Sequence, residues 1–264
     1  LLDKLVYWEE GSYFHQGKLD RLRESLVGLD YFNNVDIQAK PENAVDGRVP
    51  IDVNLSLAKR SIYTTGLSYG TESGPGVRFG VERRYLNSRG HKLSAQLDYA
   101  QKRKSFLTQY RIPAFKWLDG WYTMAMQAYD EQTKYIDTRR LELIGSRSGE
   151  LNDQWTALAS VHVLRERWSY GETISGVAPV YQYSTLTYPE ISGQYVGVDD
   201  RVFPRRGLSG NIALRGGVGG AGSDASFLQL QTVARWYKGI GANNRLLVRG
   251  EFGATYTNAL VSMP

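Results

Sequence analysis

From about residue 60 onward the chain keeps a two-residue period. Tyr63, Thr65, Leu67 and Tyr69 form one row and Thr64, Gly66, Ser68 and Gly70 the other, the pattern of a half-buried strand with one apolar and one small or polar face. Gly74-Pro75-Gly76 reads as a turn, after which Val77, Phe79 and Val81 alternate with Arg78, Gly80 and Glu82, so a hairpin is predicted. The period continues through Leu93, Ala95, Leu97 and Tyr99, then through Phe106, Thr108, Tyr110 and Ile112 until Pro113, which is expected to end that strand. Further rows are Tyr122, Met124, Met126 and Ala128; Leu141 and Leu143; Trp155, Ala157, Ala159, Val161 and Val163; Leu208, Gly210, Ile212 and Leu214; Leu228, Leu230, Ala234 and Trp236; and Leu246, Val248, Phe252 and Tyr256. About eleven strands are predicted, many longer than the five or six residues usual in a soluble sandwich.

Residues 1–58 follow a different rule. Leu19, Leu22, Leu26 and Leu29 are spaced three and four apart, which places them on one helical face. Residues 1–7 read as the tail of an earlier helix, and 31–40 and 49–59 alternate as strands around a polar turn at 41–47. Within the first of these, Val35, Ile37 and Ala39 alternate with Asp36 and Gln38. We read this as an edge strand able to take up a partner strand through backbone hydrogen bonds.

Composition changes the picture in one respect. With 42% hydrophobic residues, 22% charged and a mean hydropathy of −0.40, the chain offers no run approaching the roughly 20 apolar residues of a membrane-spanning helix. A β-barrel hides its lipid-facing surface in alternation, so the low mean does not exclude membrane insertion. The aromatics Tyr69, Tyr99, Tyr129, Trp168, Tyr195, Trp236 and Tyr256 recur near strand ends, as in an interfacial girdle. The net charge of +5 is spread along the chain among acids. It fits a basic pore wall or a lipopolysaccharide-facing rim better than nucleic-acid binding, which is not expected.

Candidate chemistry is sparse. Arg78, Glu82, Arg111, Arg140, Glu142, Arg249 and Glu251 fall on the row opposite the apolar one and are expected to line a hydrated lumen. With no cysteine, and with His15, His91 and His162 far apart, neither a disulfide framework nor a metal site is expected, and no cofactor is implied. Gly217, Gly219 and Gly222 match a dinucleotide-loop spacing, but an alternating strand follows where a helix is required, so they read as a flexible loop. In the segment Asp199 to Gly207, Pro204 and Gly207 are expected to form a turn with Arg205 and Arg206 pairing the neighbouring carboxylates. His162 stands without a nucleophile elbow, and no enzymatic activity is expected.

Gly66 through Gly70, Gly74-Pro75, and Asn87-Ser88-Arg89-Gly90-His91 resemble the barrel start of the outer-membrane protein assembly factors, which join POTRA modules to a β-barrel insertase. The resemblance is strongest to the translocation and assembly module branch (TamA-like). Gly11-Ser12-Tyr13, the leucine helix and Tyr31-Phe32-Asn33-Asn34-Val35 resemble the last POTRA module of that family, except that Asp30 stands where the family commonly has Gly. An αL Asp is then required. The resemblance implies a mainly β fold: a small α+β POTRA module over 1–58, lacking its first strand, then the N-terminal part of a transmembrane antiparallel barrel over 59–264. About eleven of roughly sixteen strands would be present in an open sheet, the chain being a fragment truncated at both ends. It also implies a lateral gate at Tyr63, Thr64, Thr65, Gly66, Leu67, Ser68 and Tyr69, and a place in the Gram-negative outer membrane with the module in the periplasm. The partners implied are outer-membrane lipid, unfolded β-barrel or autotransporter clients, and a TamB-like periplasmic protein. A two-partner-secretion pore and a passive porin-like barrel remain open alternatives.

Overall fold

The computed structural model describes residues 5–6, 8–9, 11–115, 118–170, 180–241 and 244–258. The segments 1–7, read as a helix tail, and 259–264 lie outside them apart from residues 5 and 6. The first unit is a helix, α1 (Gln16–Gly28), beside an antiparallel pair, β1 (Phe32–Ala39) and β2 (Ile51–Leu57), joined through a 3-10 turn at Pro41–Asn43. His15 caps α1, its Nδ1 accepting the Gly17 N–H at 3.1 Å. The predicted leucine face is the buried one: Leu19, Leu22, Leu26 and Leu29 pack with Leu5, Tyr31 and Ile37. Asp30 does take the αL conformation, at φ 56°, and so turns the chain from α1 into β1 without glycine.

Eleven strands then form one antiparallel sheet in chain order: β3 (Ser61–Gly70), β4 (Gly74–Arg83), β5 (Lys92–Ala100), β6 (Arg103–Ala114), β7 (Gly120–Gln132), β8 (Ile136–Glu150), β9 (Trp155–Tyr170), β10 (Gln182–Val198), β11 (Arg206–Gly217), β12 (Phe227–Ile240) and β13 (Asn244–Thr257). Each strand pairs only with its sequence neighbours, so β3 and β13 each have one partner among the described residues. Because directly paired residues share a face, the register can be followed across the sheet. Leu67 pairs with Val77, Phe79 with Leu97, Leu97 with Phe106, Met126 with Leu143, Leu143 with Val163, Ile191 with Leu214, and Leu214 with Leu230. Every apolar row predicted from the sequence lies on this one face.

That face is the exposed one. On β9, Val161 and Val163 are 53% and 42% exposed, whereas Ser160 and Glu166 on the opposite face are 5% and 9% exposed. Leu67 reaches 90%. A soluble sandwich buries its apolar rows and hydrates its polar ones; this sheet does the reverse, as expected of strands whose outer solvent is lipid. On β9 the apolar row runs from Trp155 to Val163. At about 3.3 Å per residue and a tilt of about 40°, that rises roughly 20 Å, close to the ~25 Å apolar band of outer-membrane barrels.

Several local expectations are corrected. Gly74, Pro75 and Gly76 are not the turn but the first ladder positions of β4, opposite Gly70, Tyr69 and Ser68; the reversal is made by Thr71, Glu72 and Ser73, with Gly74 at φ 75°. The β3 strand is exposed on both faces, not half-buried, because it is the sheet's edge. Pro113 does not end β6: it still pairs with Trp121, two residues beyond the last β5–β6 pair, Lys92 with Arg111, at the margin of the sheet where proline is tolerated. Tyr129 and Trp168 belong to the polar face, so they are not part of an outward girdle. They pair with Arg140 and Thr138, and Trp168 is buried.

Candidate functional site: first strand, polar face and module junction

The residues predicted to form a gate, Tyr63, Thr64, Thr65, Gly66, Leu67, Ser68 and Tyr69, all lie in β3, the strand that leaves the α1–β1–β2 unit. One backbone edge is taken by β4. Tyr63, Leu67 and Tyr69 project from the apolar face into the surroundings, and Gly66 leaves the middle of the strand without a side chain.

The unit is tied to the sheet at the end where β3 starts. The Tyr31 hydroxyl donates to the Gly90 carbonyl, and burial raises its pKa well above the ordinary tyrosine range. Asp30 faces Arg84 at 3.2 Å and Lys92 at 3.9 Å. Lys92 Nζ lies over both the Tyr31 and Trp121 rings, at 5.2 and 5.4 Å. Arg60 donates to the Tyr85 and Leu86 carbonyls at 3.0 and 2.7 Å, fixing the chain where β2 passes into β3. Gly90, at φ 74°, closes the Asn87 turn, whose side-chain oxygen accepts from the Arg89 and His91 N–H groups. Sequence reading singled out Asn87 to His91 as a motif but not its contact with Tyr31, which spans 59 residues.

The predicted edge strand is β1. Its residues Val35, Asp36, Ile37, Gln38 and Ala39 pair with β2 on one side. On the other, the Ile37 carbonyl accepts from Arg23 of α1 at 3.1 Å, so one acceptor of that edge is already engaged.

All seven predicted lumen charges share the polar face. Arg78 pairs with Asp98, and Arg249 with Glu251. Arg111 lies over Trp121, and Arg140 over Tyr129. Glu82 sits opposite Ser94. Glu142 belongs to a cluster that sequence reading missed: His162 Nδ1 is 2.7 Å from Glu142 Oε1, His162 Nε2 is 2.9 Å from Ser160 Oγ, and Tyr188 stacks on the imidazole at 4.8 Å. The order Ser, His, Glu is that of a hydrolase relay. Ser160, however, sits mid-strand between ladders to Ser146 and Glu190. Its backbone amides are committed to sheet pairing, and its lateral neighbour is a carboxylate, so no oxyanion hole forms there.

The two remaining motifs are turns at opposite ends of the sheet. Asp199 accepts from the backbone N–H groups of Arg206 and Arg205 at 2.9 and 2.8 Å, which lowers its pKa. Asp200 accepts from Phe203 and Val202, with the same effect. The expected side-chain pairing of the two arginines is replaced by these backbone bonds, and Arg205 instead reaches the Gly241 carbonyl at 2.6 Å. The glycine-rich loop after β11 is packed, not loose: Asp224 takes the Thr185 N–H at 2.6 Å, and Ala225 and Phe227 are buried against Leu164, Leu186 and Tyr188.

Comparison with known proteins follows this geometry. The model of the Omp85 superfamily domain matches residues 86–263. The fold is similar to the crystal structure of BamA from Haemophilus ducreyi lacking POTRA domains 1-3, with a TM-score of 0.69, 14% identity, and coverage of 99% of this chain and 53% of that one. It is also similar to CdiB from Acinetobacter baumannii, with a TM-score of 0.53, 13% identity, and coverage of 98% and 50%. The chain thus spans about half the length of the solved structures it matches. A family match over most of the chain and an eleven-stranded open sheet with its apolar face outward lead to one assignment: the chain belongs to the Omp85 superfamily, and its sheet is a segment of an outer-membrane β-barrel.

Proposed function

We propose that the chain is part of a non-enzymatic outer-membrane insertase of the TamA type. In this reading residues 1–58 are the C-terminal POTRA module, held in the periplasm, and 59–264 are the N-terminal part of a barrel of roughly sixteen strands. The barrel would sit in the outer membrane of a Gram-negative bacterium and help β-barrel or autotransporter clients to fold into the bilayer. The observation that carries the reading is β3: it is the first strand of the sheet, it pairs only with β4 among the described residues, and it is continuous with the module that would deliver a client. An edge of this kind offers backbone donors and acceptors to an incoming strand, and Gly66 weakens side-chain packing against whatever closes the seam. The work is done by strand exchange, and no step makes or breaks a covalent bond.

The β1 edge is the second proposed contact, for a TamB-like periplasmic partner by β-augmentation. Ile37→Pro would remove a donor there, and unchanged partner crosslinking in a folded variant would end that part of the proposal. The gate itself is tested in the full-length protein. Residues 1–264 contain no cysteine, so no thiol from this part of the chain competes with a disulfide engineered between position 64 and the last barrel strand. It should stop client assembly, with recovery on reduction. Assembly that continues with the seam locked refutes the gate.

A further inference from the structure

On four consecutive strands, the apolar face gives way to charge at one level, at the end of the sheet away from the α1–β1–β2 unit. On β6 the change comes at Lys104 before Phe106, on β7 at Asp130 after Ala128, on β8 at Arg139 before Leu141, and on β9 at Arg165 and Arg167 after Val163. The register aligns them: Lys104 pairs with Asp130, Asp130 with Arg139, Arg139 with Arg167, and Arg165 lies one row nearer the apolar belt, between Leu141 and Thr185.

Two guanidinium groups directly opposite one another repel. Arg139 and Arg167 each turn to a flanking acid, Arg139 to Asp130 at 2.7 Å and Arg167 to Asp137 at 3.2 Å. Arg165 has no such acid among the described residues. It is exposed, its one hydrogen bond is to the Thr185 hydroxyl at 3.3 Å, and Asp224, which holds the Thr185 N–H, makes no ion pair with it. Lys104, Arg139, Arg165 and Arg167 against Asp130 and Asp137 leave a positive excess at the upper border of a lipid-facing band. At the opposite border of the same strands the outward positions are Ile112, Tyr122, Arg147 and Trp155, with a single cation. Arginines spaced across adjacent strands suit phosphate, whose oxygens take two N–H bonds from one guanidinium, and cationic clusters at the membrane border recruit anionic headgroups.

We infer that Arg165, with Arg139 and Arg167, binds a phosphate of a phosphorylated glycolipid of the outer leaflet, the lipid A type. The leaflet follows from the proposed periplasmic module, which puts this end of the sheet outside. The site would fix the height and lipid shell of the wall five and six strands away from the gate.

The test uses full-length protein in detergent, with bound lipid measured by native mass spectrometry. Diphosphoryl lipid A, its dephosphorylated form, phosphatidylglycerol and inorganic phosphate serve as probes. Diphosphoryl lipid A should be retained at least tenfold better than the dephosphorylated form or phosphatidylglycerol. Free phosphate should compete only weakly. Arg165→Ala should abolish the preference, Arg165→Lys should restore part of it, and Arg235→Ala on the polar face should leave it intact. Heat-modifiable migration would verify that each variant is folded. Equal retention of all lipids, equal loss in Arg235→Ala, or no loss in Arg165→Ala overturns the site. Preference for phosphatidylglycerol overturns it too. None of these outcomes touches the locked-gate experiment, so failure here and failure of the insertase reading are separable.

Discussion

Placing a charge at the middle of the apolar band should cost far more than placing the same charge on the other face. Ile191 is the centre of the outward row of β10, 67% exposed, between Ala159 of β9 and Leu214 of β11. In water, Ile→Arg at so exposed a position would be nearly neutral, because surface substitutions stay within about 0.5 kcal/mol. In a bilayer the guanidinium must be brought to the midplane, at about 2–4 kcal/mol. That corresponds to a roughly 30- to 700-fold loss in the folding equilibrium at about 1.4 kcal/mol per tenfold. Gln231 is the matched control, exposed on the opposite face between Ala213 and Gly253. Arginine there meets a hydrated wall, where charge does not carry the bilayer penalty. The assay is denaturant titration of full-length protein in lipid vesicles, followed by heat-modifiable gel migration. Ile191→Arg should lose 2 kcal/mol or more, by these estimates about four times the ceiling for Gln231→Arg. Equal losses, or the larger loss at Gln231, would mean that the apolar face does not meet lipid.

Leu26→Ala removes one of the most buried side chains of the α1–β1–β2 unit, at about 2–5 kcal/mol; limited proteolysis should cut residues 11–58 first while the sheet stays resistant. At the Asp199 turn, the N–H bonds from Arg206 and Arg205 depress the carboxyl pKa, so the bonds favour the folded turn only while the group is ionised. Their contribution is complete above the ordinary carboxyl pKa of about 3.9 and disappears as pH falls through the lower folded value. Hydrogen-exchange protection of the 205 and 206 amides should therefore persist at about pH 5 and drop only in stronger acid, with Asp199→Asn removing the pH dependence. Protection lost near pH 6 would contradict this.

Much of the fold was legible because each element has one preferred face. The leucine spacing of α1 and the period of two in β3 to β13 depend only on local geometry and on which solvent each side meets, and the register carried all seven predicted lumen charges to one face of the sheet. What escaped notice depended on contacts across strands. Ser160, His162 and Glu142 converge only because Ile144 pairs with His162, and that register is set by the turn before Trp155, not by the residues themselves. Tyr129 and Trp168 were misplaced because residue type was allowed to outweigh parity: Tyr129 falls between the outward Ala128 and Asp130 and must face the other way. The Gly-Pro-Gly reading failed for a related reason. Turn-favouring residues mark where a reversal is possible, but Pro75 still pairs with Tyr69, and the reversal fell one step earlier, on Thr71 to Ser73. The long-range bond from Tyr31 to Gly90 had no sequence signal.

The central claim, that clients engage the first barrel strand, is tested most directly by photo-crosslinking in the full-length protein during client assembly. A photoreactive residue at position 64, on the edge strand β3, is compared with one at 146, on the polar face of β8 in the middle of the wall. Adducts with an assembling client from position 64 and not from 146 are predicted. Adducts from 146 with none from 64 would place the client in the lumen and contradict the account.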